Sequence, residues 1–495
     1  MRRQGIRHRT HGTIPASTRH ALPCAMLKID YTNSLTDAVG THGLDPATFS
    51  PNGLAAARMA ELTRSLTKSR GTGWERWRNL WTRPTRDEHT SAIKKIVADR
   101  AGRFENLVVL GIGGSALGNI ALQSALNPST HNLLPADKRR GPRLFVLDNV
   151  DPDAFHSVLS FCESCPGGIK STLFNVVSKS GETAETAAQF MIIRDRLKAA
   201  LGKDYPSNIV ATTDPAKGTM RKICNEEGFV TLPVPDGVGG RFSALSPVGL
   251  FSAAMCGIDI DALLDGAAAM DDRCSREPLN ENPAATLALL LVELGKRGKP
   301  NHVLMPYANA LYLLADWYRQ LWAESLGKEK NTRGETVFTG FTPIKALGAT
   351  DQHSQIQLYR EGPNDKVIGL IEVESFAAKV DMPRGLGVEA LAYLEGKPMG
   401  SLLNAELKAT AYALTHSKRP NYSIRFPKID ERHVGEFMAL WQIATAYAGL
   451  MLGIDAYDQP AVELGKQATF ALMGRTGYEQ LRGQLDSAIV ARHIV

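Results

Sequence analysis

The chain has 495 residues, 43% of them hydrophobic and 22% charged, with 44 Gly, 26 Pro and 6 Cys. That composition excludes a disordered chain, a collagen-like repeat and a bare coiled coil, and six cysteines are too few for a disulfide scaffold, so a reducing, cytoplasmic setting is expected. The net charge of +6 is concentrated at one end: residues 1–25 hold five arginines and no acid, which leaves the body nearly neutral and argues against nucleic acid as a partner.

Those first residues lack the apolar stretch of a secretory signal. They read as a basic leader, foreign to the native chain with Met26 as the expected start, with a solvated disordered tail and an Arg-rich transit-type leader as the alternatives, and the fold is expected to work without them. Residues 26–99 read as a helical cap. Strands are then expected over 106–112, 143–150, 172–177 and 208–213. Each is followed by a helix, over 115–127, 153–161, 182–201 and 217–227. A stretch dense in Pro and Gly, 233–240, interrupts the alternation. It restarts with a helix over 283–296, a strand over 302–307 and a helix over 311–328, and further strands fall at 367–373 and 423–426. The most apolar stretch, 437–453, contains Gln442 and reads as a buried core helix. No window reaches the ~18 uninterrupted apolar residues of a membrane span, so no membrane partner is expected. Strand–helix alternation of this kind predicts an α/β fold with mainly parallel sheets. Two such units are expected, 100–275 and 280–450, with helical segments at both ends, 26–99 and 451–495.

Several motifs sit at the ends of these elements. At 108–115, Val-Val-Leu-Gly-Ile-Gly-Gly-Ser, a strand ends in a Gly-rich turn that opens a helix. Glycines let backbone approach a ligand, and free amides at a helix start attract anions. Gly111, Gly113 and Ala116 also fit the dinucleotide spacing, so an NAD-dependent dehydrogenase competes. Against it, 127–134 offers no acid for a ribose. A tight turn and nothing more is the plain alternative. At 178–186, Ser-Lys-Ser-Gly-Glu-Thr-Ala-Glu-Thr, four hydroxyls crowd one helix N-terminus. One would suffice for capping, and four suit a phosphate monoester. No Walker-type sequence occurs, which favours a sugar phosphate over a nucleoside triphosphate.

Gly237–Ser243 presents Arg241, whose rigid fork suits an oxyanion. Taken alone it reads as a surface arginine. Glu324 continues the apolar face of Leu314, Trp317 and Leu321 on its helix, as a general base on a shielded face would. The competing reading pairs it with Lys328 at i, i+4. His353 lies among polar residues near a helix start, and by itself reads as a surface or structural histidine. The stretch 457–466 begins another helix, with Gln459 at its N-terminus and Lys466 two turns on. Cys162 and Cys165 form a lone CxxC with no second pair and read as two free thiols.

Taken together these residues resemble the glucose-6-phosphate isomerase (phosphoglucose isomerase) family. The likeness runs in the family's order over about residues 26–485. Two stretches carry it most specifically: Gly239-Gly240-Arg241-Phe242-Ser243, and Tyr457-Asp458-Gln459 through Val462-Glu463 to Lys466. Gln-Pro-Ala at 459–461 is a mild variation. The resemblance implies two SIS-type (sugar-isomerase) α/β/α sandwiches, a homodimer, and no metal or organic cofactor. It implies that Ser178, Lys179, Ser180 and Thr183 hold a sugar phosphate, with Gly114 and Ser115 beside it and Lys179 acting through its backbone amide. His353, donated by the partner subunit, would assist opening of the pyranose ring, with Lys466 near the ring oxygen. Glu324 would carry the proton between carbons 2 and 1, and Arg241 and Gln459 would line the enediolate site.

The implied reaction is the reversible conversion of glucose 6-phosphate to fructose 6-phosphate. Its chemistry needs a base and a fixed cation, and no redox agent. Three rivals stand beside it: an isomerase that also accepts mannose 6-phosphate, a non-catalytic sugar-phosphate sensor, and the dehydrogenase. A sensor would need the cradle but not Glu324, His353 and Lys466 together.

Overall fold

Uninterrupted apolar runs such as Leu107–Leu110 and Ile209–Ala211 must be covered on both faces, which parallel strands between helical layers achieve. A computed structural model describes residues 25–488 and Ile494. The basic leader, except for Ala25, lies outside the described residues. In chain order a three-residue strand, β1 (Lys28–Asp30), precedes five strands of one sheet: β2 (Asn106–Leu110), β3 (Arg143–Leu147), β4 (Thr172–Val177), β5 (Ile209–Thr213) and β6 (Val230–Pro233). Then follow β7 (Asn301–Pro306), a hairpin of β8 (Lys328–Lys330) and β9 (Thr336–Thr339), and β10 (Thr342–Lys345), β11 (Lys366–Ser375) and β12 (Asn421–Lys428).

The first sheet has the order β3-β2-β4-β5-β6 with every neighbour parallel. Strands β2, β4 and β5 are buried along their whole length. Helices Leu117–Leu126, Pro152–Ser164, Ala184–Leu201 and Thr219–Glu227 connect successive strands. The chain sets β3 on one side of β2 and β4 on the other. The loops after β2 and β4 therefore diverge, and the crevice between them is where open α/β sheets take ligands. Those loops are 111–115 and 178–183, the two anion-type motifs.

The second sheet has the order β1-β12-β11-β7-β10. It is parallel apart from β1, which runs antiparallel to β12 with Lys28 opposite Arg425. The N-terminal stretch thus supplies a strand besides its helices. Three residues show no alternation, and their partner lies far along the chain, so no local pattern marks β1. Strands β6, β8, β9 and β10 have three or four residues each, too few to show alternation, and no local pattern marks them either.

The helix Glu431–Leu452 is buried from His433 to Gly449 without a break, as the apolar run over 437–453 predicts. It packs on helices Ile260–Arg273 and Pro283–Lys296. At the first crossing a Cβ on Gly435 would lie 1.9 Å from the Leu263 carbonyl oxygen, and one on Gly266 would lie 1.8 Å from that of Arg432. Only glycine permits so close an approach of two backbones. Among the described residues no helix is long and apolar enough to cross a membrane.

The start of this helix anchors the N-terminal segment. Asp430 caps it by accepting the His433 backbone N–H, and it also accepts from His433 Nδ1 at 2.6 Å. His433 Nε2 donates to the Ala25 carbonyl at 2.8 Å. Both partners only accept, so the ring carries two protons and a charge. Burial opposes that charge, but Asp430 and the carbonyl outweigh it and raise the His433 pKa above its usual 6.5. Despite its own burial, Asp430 is held below its usual 3.8 by the bond from His433. A raised histidine stabilises the fold fully below pH 6.5 and loses that share as pH climbs through its folded value, while the lowered Asp430 contributes above pH 3.8 and fails in acid. His433→Asn is expected to flatten the fall of melting temperature from neutral into alkaline pH. An unchanged slope in a pH series of thermal melts would show that the ring is neutral in the native state.

A buried ionic cluster fixes the same segment from the other side. Asp271 is fully buried and accepts from Arg78 Nε (3.1 Å) and Nη2 (2.6 Å), from Trp81 Nε1 (2.9 Å) and from Arg70. Arg78 Nη1 also donates to the Leu66 carbonyl at 2.7 Å. Together these bonds tie residues 66–81 to the helix Ile260–Arg273.

Candidate active site

A cleft of about 570 Å³ opens at the switch point of the first sheet. Ser115 enters it from the loop after β2, and Ser178, Lys179, Ser180 and Thr183 from the loop after β4. Gln459 and Lys466 reach it from the C-terminal segment. Asp214, Lys217 and Gly218, which the sequence reading missed, also line it. They follow β5 as Ser178 follows β4, and that common placement was the available signal.

The hydroxyls in the cleft divide their work. Ser178 Oγ accepts the Gly181 N–H at 3.0 Å, and Ser180 Oγ accepts the Glu182 N–H at 3.1 Å. Capping therefore accounts for two of the hydroxyls as acceptors, yet each keeps a proton to donate. Thr183 is the N-cap of helix Ala184–Leu201 and makes no side-chain cap bond. The Lys179 ammonium lies 5.6 Å over the Trp74 ring, while its carbonyl accepts from Asp214 N and Thr213 Oγ1. Asp214 accepts the backbone N–H groups of Ala216 and Lys217, and the first of these contributes most to holding its carboxyl below the usual range.

Gly114 lets a second loop, outside the cleft lining, pack against the turn after β2. A Cβ there would lie 2.2 Å from the Gly240 carbonyl carbon and 2.7 Å from Arg241 N. The two Gly-rich turns thus stack backbone on backbone, and Arg241 is turned inward. Phe242 fixes the turn by stacking on Trp77 at 5.1 Å and packing on Tyr457 at 5.4 Å.

Arg241 is 2% exposed, which corrects the surface reading its loop suggests when taken alone. Its Nε donates to Ser325 Oγ at 2.7 Å, and Nη1 to Glu324 Oε1 at 3.0 Å and Gln459 Oε1 at 2.8 Å. Nη2 donates to the carbonyls of Ala456 (2.7 Å) and Asp458 (3.1 Å). Burial pushes the guanidinium below its usual value, and Glu324 pushes back. The result is a cation held rigidly by two distant segments, 324–325 and 456–459.

Glu324 stands on helix Tyr312–Leu326, below Leu314, Trp317 and Leu321, which are all buried. Its Oε1 faces Arg241, and its Oε2 accepts from Gln320 Nε2 at 3.0 Å. The competing pairing with Lys328 does not form. Lys328 is itself buried, and its ammonium donates to the carbonyls of Glu324, Ser325 and Asp458. Burial first, and then Arg241, push its pKa down.

The remaining candidates stand further apart. Gln459 precedes helix Val462–Leu472 and does not begin it. Lys466 lines the cleft while its ammonium pairs with Glu463 at 2.8 Å. His353 is exposed and does not line the cleft. Cys162 and Cys165 are free thiols, and burial pushes Cys162 up to about 11.

Two helix-covered sheets of mainly parallel strands, with a cleft at the switch point of the first, define the class of open α/β proteins that take a ligand at the strand ends. Within that class the phosphoglucose isomerase family model matches residues 92–489, and the chain belongs to this family. It is 46% identical over 400 residues to a glucose-6-phosphate isomerase of Carboxydothermus hydrogenoformans, an alignment covering 81% of this chain and 85% of the relative. A glucose-6-phosphate isomerase of Rubrobacter xylanophilus is 43% identical over 429 residues, covering 86% and 96%. Among solved structures, a hypothetical protein of Thermus thermophilus superposes with a TM-score of 0.78 at 36% identity, covering 91% of this chain and all of that one. A glucose-6-phosphate isomerase of Chlamydia trachomatis shares the fold, with a TM-score of 0.73 at 23% identity over 88% of this chain and 89% of that one.

Proposed function

We infer that this chain carries out the reaction of its family, the reversible conversion of glucose 6-phosphate to fructose 6-phosphate by ring opening and enediolate proton transfer. The observation that carries this reading is the bond from buried Arg241 to both Glu324 and Gln459, the latter at the wall of a hydroxyl-lined cleft. An enediolate intermediate needs such a base and such a cation side by side. A coupled assay of fructose 6-phosphate conversion tests it, with mannose 6-phosphate as a parallel substrate. Binding of hexose phosphate without turnover would leave the sensor reading instead.

In this mechanism the hydroxyls of Ser178, Ser180 and Thr183 and the Lys179 amide hold the phosphate at the helix start, with Gly114 and Ser115 beside it. Resting of the Lys179 side chain on Trp74 suits a backbone role for that residue. Glu324 removes the proton from carbon 2 and returns it to carbon 1. Arg241 and Gln459 meet the oxygens on which negative charge develops. Losing one such fixed group costs ~3 kcal/mol of barrier, about a hundredfold in rate. The double variant Ser178→Ala/Thr183→Ala is expected to raise KM for fructose 6-phosphate at least ~10-fold, as loss of two charge-assisted bonds implies. Unchanged inhibition by sugar-phosphate analogues would move the phosphate elsewhere.

Ring opening falls to His353 and Lys466 in a cytoplasmic homodimer, with His353 supplied by the partner subunit. Exposure of His353 outside its own cleft supports this division. So does the array of exposed apolar side chains such as Leu386, Tyr393, Leu464 and Met473. Mixing inactive Glu324→Gln and His353→Ala chains is expected to restore activity, because one of the two sites in each hybrid dimer regains both residues. Mixtures that stay inactive after subunit exchange would make His353 act within its own chain.

A further inference from the structure

A second cavity, of about 450 Å³, lies at the opposite end of the first sheet from the cleft. It sits among the end of helix Thr85–Arg100, the turn before β3 and the end of helix Pro247–Met255. The five residues of β2 separate the two, roughly 17 Å at the usual strand rise. None of the residues assigned above to the reaction lines it.

Its charge is unbalanced. Arg100 is nine-tenths buried, and its Nε has no hydrogen-bond partner among the described residues. Burial and neighbouring Arg103 weigh against its charge, with Asp99 offsetting part of this. An arginine closing a helix would normally bond that helix's last carbonyls, yet Arg100 makes no such bond among the described residues. Arg139 has a side chain only 1% exposed, and its Nε is likewise without a partner. Arg140 is exposed on the rim. The one acid in the wall, Glu105, is already matched, accepting from Arg139 Nη2 at 2.7 Å and from Arg143 Nη1 at 3.4 Å.

Buried donors without acceptors are rare in native proteins and call for a partner. The forked donors of arginine suit the oxygens of a tetrahedral oxyanion. The cavity is also larger than a bare phosphate needs, with Phe104 as an apolar wall. We propose that this cavity is a second anion site, which takes a small phosphate monoester through Arg100 and Arg139, with Arg140 at its mouth.

The test separates this site from the cleft. Isothermal titration of the Ser178→Ala/Thr183→Ala protein with glycerol 3-phosphate is expected to show one site per chain. Arg100→Met and Arg140→Ala, each added to that background, are expected to weaken it at least ~10-fold, since each removes a charge-assisted donor. Parallel titration with inorganic phosphate distinguishes the sources: weaker binding assigns the site to an ester, equal binding to the free ion. Arg100→Met removes an unpaired buried charge, so its melting temperature is expected to hold or rise. No binding in the cleft-deficient protein would overturn the proposal. So would binding unchanged by Arg140→Ala, a rim variant that leaves the core intact, or a stability loss in Arg100→Met with binding unchanged.

Discussion

Glu324→Gln is expected to bind fructose 6-phosphate while slowing proton exchange at carbon 1 of that ketose by at least ~10²–10⁴, the usual contribution of a general base. The amide keeps the shape of the side chain, and its oxygen can still accept from Arg241, which donates to Glu324 Oε1 at 3.0 Å. It cannot take up a proton. The cation should also stay in place, because Ser325, Gln459 and two backbone carbonyls hold it independently of residue 324. Solvent deuterium incorporation into fructose 6-phosphate reads the step directly. Exchange at the wild-type rate would move the base elsewhere, with His353 the first to examine.

Asp271→Ala is expected to have the largest effect on stability, about 3–5 kcal/mol, the usual cost of leaving a buried ion without its partner. Two arginines and the Trp81 indole N–H converge on this one carboxylate, and Arg78 is only 2% exposed. Without it, Arg78 keeps one carbonyl acceptor and an unmatched charge. Urea unfolding measures the loss as a lowered midpoint. Asp236→Ala is the control: its pair with Arg76 is solvent-exposed on both sides, and such pairs contribute at most ~1 kcal/mol. Equal effects at the two positions would mean that water reaches the Asp271 cluster.

Legibility followed sequence distance. The loops after β2 and β4 could be read because strand, turn and helix start are contiguous, and the polar residues that line the cleft lie in the turn. Arg241 could not be placed from its own neighbours. What buries it is contact with residues 324–325 and 456–459, and no local pattern reports those. The Glu324 alternatives stayed open for a related reason. Spacing at i, i+4 permits an ion pair with Lys328, and only the buried carbonyls around Lys328 show that its ammonium is engaged elsewhere.

By itself the sequence determined the α/β class, the parallel first sheet, the run of hydroxyls at the helix start after β4 and the family, since apolar periodicity and short contiguous motifs carry these. The tertiary structure decided the rest. It added β1 to a sheet whose other strands begin only at Asn301, joined Arg241 to Glu324 and Gln459, left His353 outside its own cleft, and gathered three arginines around a second cavity. The physical reason is common to all four. Each depends on which side chains folding brings together from distant segments, and on whether water remains between them.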